Sequence, residues 1–264
     1  IVHNNKLLII GGVSTDTLHL QDSTVKCAGG AGMYTSIAST HCGAEATLFG
    51  PRPPKYVDHI AEVNEYLFDW IGPIIPMDQL PTFEISYKNN KTEYLDASLE
   101  SETNLSPDSL PSDLSEYALI HITPLGDAIK QLSFITACRD RGAKIISGGT
   151  GIINVEQQPE DVKHVIRQCD YFFMNSYESE LIFGSLKHAN TTTGRVLYIT
   201  LGSEGVCVIQ GSYATSIPTN TAVEIDPTGA GDTFCGATLA YLAQRKHPVM
   251  AARQAVITST NMIT

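Results

Sequence analysis

Short apolar runs alternate with amphipathic stretches along most of this chain, and that alternation constrains the fold more than any other feature. The runs that we interpret as strands are residues 7–12, 46–50, 118–122, 144–146, 171–174, 196–199 and 205–209. Helical spacing of apolar residues predicts helices at 57–71, 129–141, 160–168 and 176–187. Buried strands separated by helices are typical of a largely parallel sheet covered on both faces. We therefore predict a three-layer α/β/α fold.

Two regions interrupt this alternation. Residues 83–87 alternate apolar and polar side chains, and Asn89-Asn90, followed by residues 91–95, is the expected turn of a hairpin with one covered face. Residues 15–26 are polar with scattered β-forming residues. We interpret the two regions as a small sheet, a β-lid with segments near 13–28 and 82–97, on a single domain spanning 1–264. An ordinary edge hairpin is the alternative.

Composition limits the class of protein and its partners. The chain has 264 residues, of which 42% are hydrophobic and 17% charged, so it is expected to be globular. Its formal net charge of -11 disfavours nucleic acids and anionic membrane surfaces as partners. The six cysteines form no C-x-x-C pair and are expected to be reduced thiols. With no apparent signal peptide or apolar run of about 20 residues, we expect a cytoplasmic protein.

The segment with the strongest chemical content is D-P-T-G-A-G-D, which ends at Asp232. Its small residues Gly229, Ala230 and Gly231 let backbone N–H groups approach one anion, and the helix that follows adds the positive end of its dipole. Asp232 then stands where a general base could take a proton from an attacking hydroxyl. This combination indicates phosphoryl transfer. The alternative is a tight turn with Asp232 as a first-turn acid.

Two further segments follow predicted strands. Asn175 and Glu178 lie one helical turn apart, where an amide could hold a phosphate oxygen and a carboxylate could organise hydrated magnesium. The same spacing is also that of a helix capping box, and both roles are compatible. Thr200, Gly202 and Gly205 lie in T-L-G-S-E-G, which by itself is an ordinary turn between strands.

Near the amino end, Gly29 and Gly30 precede a helix of small residues that includes Tyr34. Asp16 lies in a polar segment after the first strand. Its carboxylate suits a polyol, because it can accept two charge-assisted hydrogen bonds from hydroxyls. A helix-capping turn and a solvated aspartate are the corresponding structural alternatives.

The segment that ends at Asp232 resembles the D-T-x-G-A-G-D signature of the ribokinase-like carbohydrate kinases, the PfkB family, with Pro227 in the usual Thr position. The resemblance implies a ribokinase-like fold with Asp232 as the catalytic base. It also implies an anion hole formed by the N–H groups around Gly229, Ala230 and Gly231.

The other motifs extend this resemblance from Gly11 to the end of the chain. Asn175 and Glu178 match the family's N-x-x-E motif, which implies that Glu178 contacts magnesium through water. Thr200, Gly202 and Gly205 match its T-x-G-x-x-G pattern, which implies contact with the nucleotide.

At the acceptor side, the resemblance assigns Gly29, Gly30 and Asp16 to the substrate. Tyr34 stands where many members have Asn, a departure that points to an unusual acceptor. Gly148–Gly151 stands where an Asp-Pro type sequence is common. The family usually runs longer past its signature, so we expect the chain to be truncated or partly disordered there.

The resulting hypothesis is an ATP- and Mg²⁺-dependent kinase for a hydroxyl of a small sugar, polyol or nucleoside. The resemblance adds a K⁺ site near Asp226 and a homodimer formed through the β-lid. The alternative is a catalytically inactive ligand-binding or regulatory protein on the same fold. A nucleotide-dependent oxidoreductase is disfavoured because the first strand ends in G-G-V-S rather than G-x-G-x-x-G. A Walker-type NTPase is disfavoured because the sequence has no G-x-x-x-x-G-K-[ST] motif.

Overall fold

A computed structural model describes residues 4–88, 91–219 and 229–263. The strands are β1 (Lys6–Ile10), β2 (Ser14–His19), β3 (Thr24–Gly29), β4 (Glu45–Phe49), β5 (Asp69–Ile71), β6 (Thr82–Lys88), β7 (Lys91–Ser98), β8 (Leu119–Ile122), β9 (Ile146–Gly149), β10 (Tyr171–Asn175), β11 (Val196–Thr200), β12 (Val206–Gln210) and β13 (Tyr213–Ile217). The α-helices are α1 (Ala31–His41), α2 (Asp58–Tyr66), α3 (Glu100–Thr103), α4 (Ala128–Asp140), α5 (Ile152–Gln157), α6 (Pro159–Gln168), α7 (Ser176–Phe183), α8 (Ala230–Ala243) and α9 (Pro248–Ile263).

Within the described residues, nine strands form one large sheet in the order β13-β12-β11-β10-β9-β8-β1-β4-β5. Neighbours from β5 to β11 pair in parallel, whereas β12 and β13 are antiparallel at one edge. The first strand shows how both faces are covered, because side chains alternate along a strand. Leu7 and Ile9 pack into the core with α1, α8 and α9, and Leu8 and Ile10 into the core with α4, α6 and α7. The predicted three-layer arrangement is confirmed.

A second sheet has the order β3-β2-β6-β7. It contains the two regions that interrupt the alternation, with β2 parallel to β6 and each hairpin antiparallel. The expected Asn89-Asn90 turn lies outside the described residues, as does Asp226. We call this four-stranded sheet the β-lid, and its closing over a ligand stays a prediction.

Three predicted element boundaries are wrong. The helix predicted over 57–71 ends at Tyr66, and residues 69–71 form β5, which pairs with β4 and buries Trp70. The strand predicted over 144–146 begins only at Ile146, because Lys144 is exposed. The helix predicted over 176–187 ends at Phe183, where Gly184 takes a left-handed φ of 80°. β13 was not predicted, because an edge strand with exposed side chains lacks an apolar run.

In the Gly148–Gly151 segment, Gly148 and Gly149 are the last two residues of β9. A Cβ atom on Gly148 would lie 2.9 Å from Cys169 Sγ, so the packing of the sheet leaves no room for a side chain. Residues 100–115 contain α3 and a 3₁₀ turn at Pro107–Ser109. Among the described helices, none has the length and apolar character needed to cross a membrane.

Candidate active site

A cavity of about 470 Å³ lies at the carboxyl ends of strands β1, β8, β9, β10 and β11. The β-lid strands β2, β6 and β7 form one wall, and the amino ends of α1 and α8 form another. Ligands of open α/β sheets bind in this position, outside the carboxyl ends of the strands.

The cavity brings together most of the residues singled out in the sequence. Those that line it are Asp16, Gly30, Tyr34, Asn175, Glu178, Thr200, Gly229, Gly231 and Asp232. The residues outside the lining are Gly29, Ala230, Gly202 and Gly205. The ligand contacts assigned to all of these residues stay predictions.

Helix α8 begins at the cavity. Gly229 is its N-cap residue with a φ of 78°, and no side chain of the described residues caps it. A Cβ atom on Gly229 would lie 2.6 Å from carbon atoms of the Tyr34 ring, so only glycine fits this position. Asp232 lies in the first turn of α8, and burial raises the pKa of its carboxyl group to about 6. A base with this pKa is ionised at neutral pH and can accept a proton.

Asn175 and Glu178 form the capping box that their spacing allows. The Glu178 N–H donates to Asn175 Oδ1 at 2.8 Å, and the Asn175 N–H donates to Glu178 Oε2 at 2.9 Å. Burial raises the pKa of Glu178 to about 7, the Asn175 N–H opposes this shift, and the negative charge of Asp232 adds to it. Glu178 therefore starts α7 and also adds its carboxylate to the cavity that contains Asp232.

Asp16 lies on β2 and is only 4% exposed, and burial raises the pKa of its carboxyl group to about 6. Its Oδ1 atom has no hydrogen-bond partner in the part of the chain that the structure describes. A Cβ atom on Gly29 would overlap Asp16 Oδ2. Gly29 therefore leaves the space that the Asp16 carboxylate occupies, although Gly29 itself does not line the cavity.

Sequence reasoning missed several polar residues in this cavity, among them Glu102, His121, Thr123 and Cys235. Glu102 accepts a hydrogen bond from the Gly12 N–H at 3.0 Å. Burial lowers the pKa of His121 to about 3, so its ring stays neutral beside Ser147 Oγ and Cys235 Sγ. Thr123 directly follows β8, and ligands of such sheets bind at the carboxyl ends of the strands. Its place in the sequence could therefore have identified it as a candidate. Glu102 lies in a Ser- and Pro-rich segment that carries no such signal.

The comparison with protein families agrees with this geometry. The family model described as pfkB family carbohydrate kinase matches residues 93–264, which is more than half of the chain. The chain belongs to the PfkB family of carbohydrate kinases. It is therefore a phosphotransferase, and the resemblance seen in the sequence is confirmed.

Individual relatives are similar to this PfkB-family chain over different lengths. The cytidine kinase of Thermococcus kodakarensis is 22% identical over 243 residues, covering 89% of this chain and 87% of the relative. The ribokinase of Lactococcus lactis is 36% identical over 97 residues, covering 34% of this chain and 31% of the relative. The crystal structure of ribokinase from Cryptococcus neoformans in complex with ADP superposes with a TM-score of 0.80 at 16% identity, covering 97% of this chain and 92% of that one. That likeness establishes the ribokinase-like fold.

Kinases of the PfkB family generally use ATP with Mg²⁺, and the donor set of the cavity fits both. No group of three or more His, Cys, Asp or Glu residues in the described ranges is placed to hold a metal ion. Mg²⁺ commonly keeps several waters and binds one or two carboxylates together with phosphates, so Glu178 beside Asn175 suits it. The amino end of α8 suits a phosphoryl group.

Proposed function

We propose that this PfkB-family kinase transfers the γ-phosphoryl group of ATP to a hydroxyl of a small, uncharged sugar, polyol or nucleoside. One observation carries the proposal: Asp232 at the amino end of α8 and the buried, unpartnered Asp16 Oδ1 face the same cavity. This transfer needs a base and a phosphoryl-binding helix terminus at one side of the cavity, and a hydroxyl acceptor at the other side.

The charge of the cavity supports an uncharged acceptor. Four carboxylates line it, those of Asp16, Glu102, Glu178 and Asp232. Among the lining residues that the structure describes there is no lysine or arginine, and His121 is neutral. An acceptor with its own phosphate or carboxylate group would be repelled by these charges without a cationic partner. The proposal therefore excludes sugar phosphates and sugar acids as preferred acceptors.

Within the uncharged acceptors, the β-lid favours a nucleoside. The lid presents Phe83, Ile85 and Ala97 to the cavity, followed by Leu99. A nucleobase can bury its flat face against such apolar side chains, whereas a free sugar gains little there. Two relatives are named cytidine kinase and ribokinase, and each name refers to a compound that contains ribose. Cytidine and ribose are therefore the acceptors to test.

Each residue then has a defined role. Asp16 accepts hydrogen bonds from acceptor hydroxyls and orients one of them towards α8. Asp232 takes the proton of that hydroxyl as its oxygen bonds to the γ-phosphorus, while the β–γ bridging oxygen leaves with the bonding electrons on ADP. The N–H groups around Gly229, Ala230 and Gly231 stabilise the charge on the transferred group. Glu178 and Asn175 would hold Mg²⁺ through water, and the ion would offset phosphate charge. The β-lid closes to exclude water.

Contacts of Thr200, Gly202 and Gly205 with the nucleotide belong to the same proposal. A K⁺ site near Asp226, a homodimer through the β-lid and a cytoplasmic location stay predictions. The single-domain organisation over 1–264, with lid segments near 13–28 and 82–97, also belongs to the proposal.

The test is phosphorylation of a panel by the full chain with ATP, Mg²⁺ and K⁺. We expect turnover of cytidine or ribose and much weaker turnover of ribose 5-phosphate, which differs from ribose by its negative charge. Asp232→Asn should bind ATP almost normally and lose a factor of about 10² or more in kcat.

Near-normal kcat in Asp232→Asn would remove Asp232 as the base. Equal use of ribose and ribose 5-phosphate would contradict the electrostatic argument. Binding of cytidine or ribose without any phosphorylation by the wild-type chain would instead favour an inactive ligand-binding protein.

A further inference from the structure

One buried carboxylate in the cavity has no part in the roles given above. Glu102 lies on α3, directly after the last strand of the β-lid, and is 9% exposed. Its Oε1 atom accepts the Gly12 N–H at 3.0 Å. Among the described residues, the Gly12 N–H is the hydrogen-bond donor that reaches the Glu102 carboxylate, and it reaches Oε1. The carboxylate is thus held in place by one oxygen while the other remains available on the cavity side.

Glu102 lines the same cavity as Asp16 and Asp232, and its carboxyl group interacts with the charge of Asp232. The negative charge of Asp232 contributes to raising its pKa to about 7, after the larger effect of burial. Gly12, whose N–H holds Glu102, also lies against Gly30 at the start of α1. An acceptor bound in this cavity is therefore exposed to Glu102 as well as to Asp16 and Asp232.

A second buried polar group of the cavity has no hydrogen-bond partner among the described residues. Thr123 is 1% exposed, lines the cavity, and its Oγ1 atom has no hydrogen-bond partner in the described ranges. It lies against Gly11, the residue before the Gly12 that holds Glu102. Leaving a buried hydroxyl unpaired costs stability, so a polar ligand is the natural partner for this side chain.

We propose that Glu102 and Thr123 form a second hydroxyl-binding wall of the acceptor site, with Glu102 Oε2 accepting a hydrogen bond from the acceptor and Thr123 Oγ1 bonding a neighbouring oxygen. This inference rests on the proposed function, because it concerns the same acceptor. It makes Glu102 a specificity residue for the number and position of the acceptor's hydroxyls, in addition to Asp16. An acceptor without the hydroxyl that faces Glu102 would leave a buried carboxylate unpaired and would bind poorly.

The experiment measures binding of ribose and of cytidine to the full chain by calorimetry, without ATP, and then the KM values for acceptor and ATP. Glu102→Gln keeps an oxygen for the Gly12 N–H but loses the charge, and we expect its Kd for both compounds to rise about tenfold or more. KM for ATP should stay unchanged. Glu100→Gln is the matched control, since Glu100 is exposed on the same short helix and should leave both values unchanged.

Thr123→Val provides a second measurement that does not depend on the charge. Because it removes an unpaired buried hydroxyl, the free protein should melt at the same or a higher temperature while the Kd for ribose rises. A structural role alone would not produce this combination. Wild-type Kd values in both Glu102→Gln and Thr123→Val would overturn the second wall, even if the wild-type chain phosphorylates the panel.

The proposed function is judged separately by that wild-type turnover. A wild-type chain that binds neither ribose nor cytidine overturns the second wall as well. Equal rises in KM for ATP and for acceptor would also overturn it, because they would indicate a general disturbance of the cavity.

Discussion

Replacing Gly29 by alanine tests whether this glycine acts through the Asp16 carboxylate. The added Cβ atom would overlap Asp16 Oδ2, and Gly29 has no positive φ that would add backbone strain. Either the carboxylate turns out of the cavity or strands β2 and β3 separate. Overpacking of this kind costs about 1–3 kcal/mol of folding stability.

The functional loss should be larger than this stability loss. If Asp16 gives up two charge-assisted hydrogen bonds to the acceptor, each worth about 1.5–3 kcal/mol, the transition state loses roughly 3–6 kcal/mol. The corresponding fall in kcat/KM for ribose or cytidine is about 10²- to 10⁴-fold. KM for ATP should change little, because the phosphoryl end of the cavity at α8 is untouched.

The assay is steady-state kinetics with each substrate varied in turn, together with urea unfolding. Gly151→Ala is the control, because its Cβ atom would meet the nearest atom, on Pro124, at an ordinary 3.7 Å although it also lines the cavity. In the Asp16→Ala background, Gly29→Ala should add almost nothing, since the two changes remove the same interaction. Full additivity in the double variant, or wild-type kinetics in Gly29→Ala, would refute this reasoning.

Two further predictions concern charge and backbone. Glu178 has its pKa raised from 4.5 to about 7 in the folded chain, so between these pH values the folded state holds a proton that the unfolded state has lost, and stability falls as pH rises. Between pH 4.5 and 8, the free energy of unfolding measured in urea should fall by about 3 kcal/mol less in Glu178→Gln than in the wild type. The same pH dependence in both proteins would contradict the raised pKa. Gly229→Ala should lower kcat by more than tenfold, because its Cβ atom meets Tyr34 and the left-handed φ costs about 1–2 kcal/mol. Tyr34→Ala should restore part of this loss in the double variant, and no restoration would show that the ring contact is not the cause.

Much of the fold could be predicted because strands buried on both faces and helices between them leave a periodic record in the sequence. The runs around Leu8, Phe172 and Leu197 are strands for this reason. The prediction was wrong around Trp70, where the sequence continues the apolar spacing of a helix but pairing with β4 makes the segment the strand β5. It also missed β13, which an edge position keeps exposed.

The candidate site also has a part that the sequence could predict and a part that it could not. By itself, the sequence identified the signature ending at Asp232, because glycines beside an acid before a helix form a local pattern and an anion site at a helix start is a local structure. It also identified Asn175 and Glu178, which lie one turn apart. These local patterns determined the family and the reaction class.

Only the tertiary structure brought Glu102, His121 and Thr123 into the same cavity as Asp16 and Asp232. These residues come from separate strands and loops, so no spacing in the sequence connects them. Burial, which raises the pKa of Glu102 and lowers that of His121, is likewise a property of the packed chain. The residues proposed to select the acceptor are therefore brought together by long-range packing, whereas those proposed to transfer the phosphoryl group lie in short segments of the sequence.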